Sequence, residues 1–333
     1  MSKVSEMHKT DARSQQQNCE IGLTGWSVHL PNFEPNDAIC GCESGSCCPP
    51  ELAHELLGRK GLLFKEAATR LALCAVHRAL NLVPSGCRPD GPPDPRTAVV
   101  ASSNFGNCST VHNIAKTLQR GGVRDVSALD APNTSSNVIA STIAIWFRFG
   151  GPNLMVCSGA TSGLDAIQLA SVILRAGRAD RVVVVGVEPD DDVARNLYRQ
   201  RAAAGLLGSR LRAGAACVVL EAFATAPAGT PLLGPVRSGK GFMFGAHEAH
   251  PSVVIGPVDP QSCAPRVIDL VNLVGDTYGA LGLLQVAIAT SMITTTPANS
   301  RPFVGIVCGD VVDGWRSTTV REAPIRLNGL RKV

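Results

Sequence analysis

The run Asp180-Arg-Val-Val-Val-Val-Gly-Val-Glu188 constrains the fold more than any other part of the chain. A continuous β-branched run without polar alternation is the pattern of a parallel strand buried on both faces. Such a strand needs apolar layers above and below it, which makes the chain an α/β protein. Its 333 residues, 45% hydrophobic and 17% charged, supply a large core for one compact or two fused domains.

Other elements follow from the same patterns. Glu20–Pro31 reads as the first strand, with Val28 and Leu30 alternating with polar neighbours, and Arg96–Gly106 as a strand and a small-residue turn. Ala215–Glu221 and Leu232–Val236 are further strands, Arg266–Leu273 is strand-like, and Phe303–Cys308 is the final strand. Helices are expected over Pro50–Leu57, Phe64–Leu80, Val111–Leu118 (ended by Gly121-Gly122) and the serine-rich segment Asn133–Phe147.

Composition excludes several function classes. A net charge of +4 without a dense basic block, and only 4% aromatic residues, do not indicate nucleic-acid binding. Met1–Gln17 is polar and lacks the apolar core of a signal peptide, and no apolar run reads as long enough to span a bilayer. The expectation is a cytoplasmic protein with no membrane partner, a disordered tail over 1–19, and its twelve cysteines mostly reduced. Cys74, Cys157, Cys217 and Cys308 fall in apolar segments and are expected in the core.

Three clusters invite a metal and none is read as one. Cys40, Cys42, Cys47 and Cys48 lack the two separated pairs of a structural zinc site, and adjacent Cys47 and Cys48 do not easily point at one ion, so this is a loop with free thiols. Pro189-Asp-Asp-Asp192 is a solvated loop start. His247, Glu248 and His250 are loop residues, since Pro251 disfavours a helical histidine face. No metal and no cofactor are expected.

The stretch from Gly150 to Ala170 carries the chemistry. Leu154–Cys157 reads as a buried strand, Ser158–Ser162 as a tight turn, and Leu164 to about Ala176 as a helix with Asp165 in its first turn. Strand, turn and helix N-terminus present one side chain in an electropositive cleft, and that residue is Ala160, which has no nucleophile. Cys157, three residues upstream, reads as buried and inert, and Ser158 has no recognisable base.

Gly-Gly-Pro-Asn-Leu-Met-Val-Cys-Ser-Gly-Ala-Thr-Ser-Gly-Leu-Asp-Ala (150–166) resembles the nucleophile segment of the β-ketoacyl synthases, condensing enzymes of the thiolase fold. The resemblance runs from about Ile21 to Glu221 and resumes near Val271 to Ala289. It implies a thiolase-like layered fold of two pseudo-duplicated α/β halves, 20–225 and a shortened 226–333, with mixed sheets and buried helices. The family's cysteine falls at Ala160. In Gly275-Asp-Thr-Tyr-Gly-Ala-Leu-Gly282 the family's histidine falls at Asp276 and its upstream lysine at Val271. No Asn-x-His-Gly-Thr-like segment is present. Gly309-Asp-Val-Val-Asp-Gly-Trp315 stands where the family's glycine-rich loop belongs, and Arg212-Ala-Gly-Ala215 lacks the usual turn glutamate.

Decarboxylative condensation needs a thiolate, two neutral imidazoles and oxyanion donors. The resemblance therefore implies a non-catalytic member without independent activity, like the chain-length factor that pairs with an active ketosynthase in type II polyketide systems. It places Phe105, Cys108, Val111, Asn133, Ser136, Asn137 and Ser158 along the acyl tunnel and the dimer interface. The implied partners are a catalytic ketosynthase subunit and, through it, an acyl carrier protein with its phosphopantetheine-bound chain. Two other readings stay open: an unorthodox thiolase-fold acyltransferase or hydrolase using His247, His250 or Ser158, and a homodimeric acyl-binding scaffold.

Overall fold

The computed structural model describes residues 19–31, 47–84, 88–203, 210–239, 251–257 and 266–324. Its strands are β1 (Glu20–His29), β2 (Thr97–Ser102), β3 (Asn153–Val156), β4 (Arg181–Glu188), β5 (Gly214–Phe223), β6 (Pro231–Leu233), β7 (Arg237–Gly239), β8 (Val253–Ile255), β9 (Val267–Ile268), β10 (Val304–Asp310) and β11 (Gly314–Glu322). The α-helices are α1 (Ala53–Leu57), α2 (Ala67–Ala79), α3 (Cys108–Arg120), α4 (Val138–Phe147), α5 (Ser162–Arg175), α6 (Asp192–Ala203), α7 (Leu270–Val274) and α8 (Leu281–Thr295).

The strands form one sheet in the order β3-β2-β4-β5-β1-β6-β11-β10-β8-β9, with β7 paired to β11. Outward from the β1/β6 junction one half runs β1, β5, β4, β2, β3 and the other β6, β11, β10, β8, β9. Setting short β7 aside, each half thus places its first, fifth, fourth, second and third strands in turn. The pairing sense repeats too: β2/β3, β2/β4, β8/β9 and β8/β10 are parallel, whereas β4/β5, β1/β5, β10/β11 and β6/β11 are antiparallel. The fold is a duplicated α/β arrangement with mixed pairing. β4 is accordingly parallel to one neighbour only, a refinement of the all-parallel pattern its valines suggest.

Alternate valines of β4 serve different layers. Val183, Val185 and Val187 pack with α2 and α4, including Leu71, Cys74, Ile139 and Ile143. Val182 and Val184 pack with α5 and α8, in a cluster that also takes in Val253, Ile255, Val304, Ile306 and Val320 from the second half. Helices α5 and α8 therefore lie between the two halves. Their N-terminal turns meet backbone to backbone at Gly163 and Gly282: a Cβ on Gly163 would stand 2.8 Å from Leu283 N. This contact brings the turn holding Ala160 against the segment holding Asp276.

Helix α8 is apolar on every side, as a helix enclosed by protein must be. By length and composition Tyr278–Thr295 is able to cross a membrane, which corrects the expectation that no run is long enough; 83% of it is buried inside the fold, so it is the core helix.

Other expectations need correction. β3 is an edge strand, paired only with β2 among the described residues, and Leu154 is 39% exposed rather than buried. Cys157, just past its end, is exposed, while Cys74, Cys217 and Cys308 are buried. The segment 266–273 is a two-residue strand followed by α7, whose start Asp269 caps by accepting Asn272 N–H at 3.1 Å. β10 is not the last strand: Asp310 accepts Val312 and Asp313 N–H, both at 2.8 Å, and turns the chain into β11. The acidic run opens a helix, with Asp191 accepting Val193 and Ala194 N–H at 2.9 and 3.1 Å. Helix α4 begins only at Val138, after a short 3-10 turn over Ala131–Thr134. Helix α2 begins at Ala67, leaving Phe64 outside it.

Candidate functional site

Between β3 and α5 the chain makes a 3-10 turn, Gly159–Thr161, with Ala160 buried at its centre. Ser162 Oγ accepts Ser158 N–H at 2.7 Å and donates to Gly159 O at 2.8 Å. Asn104 Nδ2 and Oδ1 bond Gly159 O and N–H, each at 3.0 Å. Asp165 accepts the hydroxyls of Ser158 and Thr161 at 2.6 Å and Arg316 Nε at 2.7 Å. A carboxylate in the first helical turn is thus tied by side chains as well as favoured by the helix dipole.

The surroundings of Ala160 are acidic and aromatic. Its N–H donates to Asp313 Oδ2 at 2.7 Å. Gly159 has φ +70°, and a Cβ there would fall 1.9 Å from the same oxygen, so turn and carboxylate interlock through a glycine. Arg201 pairs with Asp313 at 2.5 Å and also with Asp310. Asp276 is buried and accepts Tyr198 hydroxyl and, at 2.7 Å, Tyr278 N–H. Burial pushes its carboxyl above the ordinary range, and these bonds pull the other way. The Tyr278 ring stacks on Phe105 at 5.3 Å, meets Tyr198 edge-on at 5.7 Å and lies 5.1 Å from the Arg201 guanidinium. Phe105, Ala160, Ala194, Tyr198, Leu211 and Tyr278 form one cluster.

Glu188, at the end of β4, fixes the other side. It is buried and accepts Asn104 N–H at 2.6 Å, Phe105 N–H and Ser103 Oγ at 3.0 Å, and Asn104 Nδ2 at 3.2 Å. Burial nevertheless pushes its carboxyl up to about 7.

The sequence of residues 59–219 matches the family described as Beta-ketoacyl synthase, N-terminal domain. Residues 59–219 thus carry the sequence pattern of that domain. It is 31% identical over 93 residues to 3-oxoacyl-[acyl-carrier-protein] synthase 2 of Vibrio cholerae, and 30% over 110 residues to that of Rhizobium meliloti. These alignments take in 28% and 33% of this chain but span only 22% and 26% of the relatives. The fold is similar to the ishigamide ketosynthase/chain length factor, with TM-score 0.68 and 20% identity over 92% of this chain and 100% of that one. It is also similar to a structure of a type II PKS acyl-carrier protein in complex with its ketosynthase bound to the hexaketide, with TM-score 0.62 and 14% identity over 92% and 100% of the two chains.

The positions named from sequence are dispersed over the site and its flanks. Phe105 joins Ala160, and Asp276 contacts the same cluster through Tyr198 and Tyr278. Cys108 is part-buried at the start of α3, its Sγ 3.8 Å from Asn104 O, and Ser158 is exposed on the turn. Asn137 Nδ2 bonds Ser141 Oγ at 2.9 Å and Asn153 Oδ1 at 2.8 Å, tying α4 to the edge strand. Asn133 is buried, donating to Phe64 O at 2.8 Å, whereas Val111 and Ser136 are exposed. A cleft of about 680 Å³ runs beside the cluster, lined in part by Ala67, Leu71, Asp190, Arg210, Leu211 and Gly275. Cys157 donates to Ser103 O at 2.9 Å, and partial burial followed by Glu188 holds its thiol above the ordinary pKa. Cys40, Cys42, His247, Glu248 and His250 lie outside the described residues.

Tyr198, Arg201, Asp310, Asp313 and Glu188 were not named as site residues from sequence. The signal for Asp310 and Asp313 was the segment 309–315, where the resemblance expects a glycine-rich loop. Arg201 and Tyr198 lie on a helix whose Val193, Ala194, Leu197 and Tyr198 recur at helical spacing, a signal that marks its inner face but not these roles.

Proposed function

We propose that this chain is the non-catalytic, chain-length-factor-like partner of an active β-ketoacyl synthase, shaping the acyl tunnel during malonyl-based elongation in the cytoplasm. One observation carries the reading. At Ala160, where the resemblance puts the nucleophile, the side chain is a methyl group and the N–H that would steady a developing oxyanion is taken by Asp313 at 2.7 Å. Condensation builds negative charge where this site already holds Asp276, bonded to the Tyr198 hydroxyl, and Asp310 and Asp313, which pair with Arg201. Two like charges 4 Å apart repel by about 4 kcal/mol at an effective dielectric of about 20, which is about a thousandfold in rate.

The partner would dock on the open edge of β3 and the outer face of α4. Leu154 and Ile145, the latter 76% exposed, offer apolar contact there, and an unpaired edge accepts a further strand. The carrier protein's phosphopantetheine-bound chain would reach the tunnel through the ketosynthase partner. The tunnel end would be set by Phe105 against Tyr278.

The test is co-expression with a candidate ketosynthase, followed by size-exclusion chromatography with mass analysis and product profiling. The expected result is a 1:1 heterodimer whose product length shifts in Phe105→Ala. A stable homodimer that ignores the ketosynthase favours the acyl-binding scaffold and overturns the proposal.

A further inference from the structure

At the far end of β1 from its start, His29 is fully buried and followed by a turn. Cys48 lies just before the first short helices, and Cys74 is fully buried on α2. The donor atoms of His29, Cys48 and Cys74 all lie within 4.8 Å of one another. His29 Nε2 makes a 2.9 Å contact with Cys48 O, while its Nδ1 is buried without a hydrogen-bond partner among the described residues. An orphaned buried ring nitrogen beside two thiols requires a further partner. Cys47 Sγ lies 3.7 Å from Val28 O and also interacts with the His29 ring, at the margin of the three-residue cluster.

From this geometry we infer a zinc site made by His29, Cys48 and Cys74. Thiolate and imidazole are the donors that Zn²⁺ prefers, with Zn–S of about 2.3 Å and Zn–N of about 2.0 Å. Tetrahedral placement at those lengths puts donors about 3.5–3.8 Å apart, inside the 4.8 Å that bounds the present cluster. Two thiolates and a neutral imidazole balance the charge of Zn²⁺, and binding releases the two thiol protons to solvent. Three protein ligands leave a fourth position for water. The ion would tie β1 to α2 and to the chain leading into α1. It shares no residue with the Ala160 cluster and is independent of the ketosynthase-partner proposal.

The test uses the full-length protein, purified reduced, stripped with a chelator and titrated with Zn²⁺, and separately with Co²⁺. The expected result is one tight equivalent of Zn²⁺ and, with Co²⁺, a thiolate charge-transfer band with intense tetrahedral d–d bands. Cys48→Ala, at the half-buried ligand, is expected to weaken affinity at least about tenfold and to reduce the charge-transfer band. Cys157→Ala is expected to bind as the native protein does. If Cys74→Ser fails to fold, Cys48→Ala and the Co²⁺ spectrum still decide. No stoichiometric metal, metal retained at full affinity in Cys48→Ala, or a Cys48–Cys74 disulfide in the protein as isolated would each overturn the inference.

Discussion

Replacing Asp313 by alanine tests the arrangement around Ala160. The carboxylate accepts Ala160 N–H at 2.7 Å and Arg201 at 2.5 Å, with the Arg201 and Asp313 side chains only 21% and 16% exposed. Losing the acceptor of a buried N–H costs about 1–3 kcal/mol. Breaking a buried ion pair from one side costs about 3–5 kcal/mol, but Asp310 still holds Arg201 and the two acids no longer repel, so most of that cost is recovered. The sum is a loss of about 2–4 kcal/mol. Urea unfolding followed by far-UV circular dichroism reads it as a lower midpoint at unchanged slope. Asp313→Asn keeps an acceptor and should lose less. An Asp313→Ala protein as stable as the native one would refute the reasoning, because the carboxylate would then contribute nothing to the turn.

Gly163→Ala sets a Cβ 2.8 Å from Leu283 N and 3.0 Å from Gly282 backbone atoms, none of which is able to rotate away. An overpacking cost of about 1–3 kcal/mol, less up to about 1 kcal/mol of helix propensity, predicts a net loss in thermal unfolding; a stabilised variant contradicts the close packing of α5 on α8. Glu188, raised from 4.5 to about 7, contributes stability fully present below about pH 4.5 and lost as pH rises toward 7. At about 1.4 kcal/mol per unit that is about 3 kcal/mol. Urea titrations from pH 5 to 8 should show this slope in the native protein and not in Glu188→Gln. Ile145→Asp, on the exposed face of α4, should change monomer stability by less than about 0.5 kcal/mol yet abolish pairing with a ketosynthase in size-exclusion chromatography.

The fold was readable wherever burial leaves a periodic trace. The valines of β4, the glycine-rich turn before α5 and the apolar stretch of α8 all signal themselves locally. β11 did not, because Gly314-Trp-Arg-Ser-Thr-Thr-Val-Arg-Glu322 is a half-exposed strand with mixed polarity. Nor did the exposure of β3: Leu154 and Met155 are as apolar as core residues, and only the sheet order makes this an edge. The site was half legible. Ala160 and Asp276 stand out because the resemblance puts at each a residue that the chemistry requires. The Arg201–Asp313–Ala160 chain joins positions far apart in sequence, and nothing local announces such a contact. The same is true of His29 and Cys74, which the packing of α2 against β1 brings together.

The most direct measurement is malonyl-thioester decarboxylation by the purified chain alone, read as carbon dioxide released per protein in the presence of an acyl thioester. The account predicts release no faster than in buffer, since the chain offers a methyl group at position 160 and carboxylates where the reaction builds negative charge. Sustained turnover that is lost in Asp276→Ala or Asp313→Ala would contradict it, and would make those acids part of a working active site.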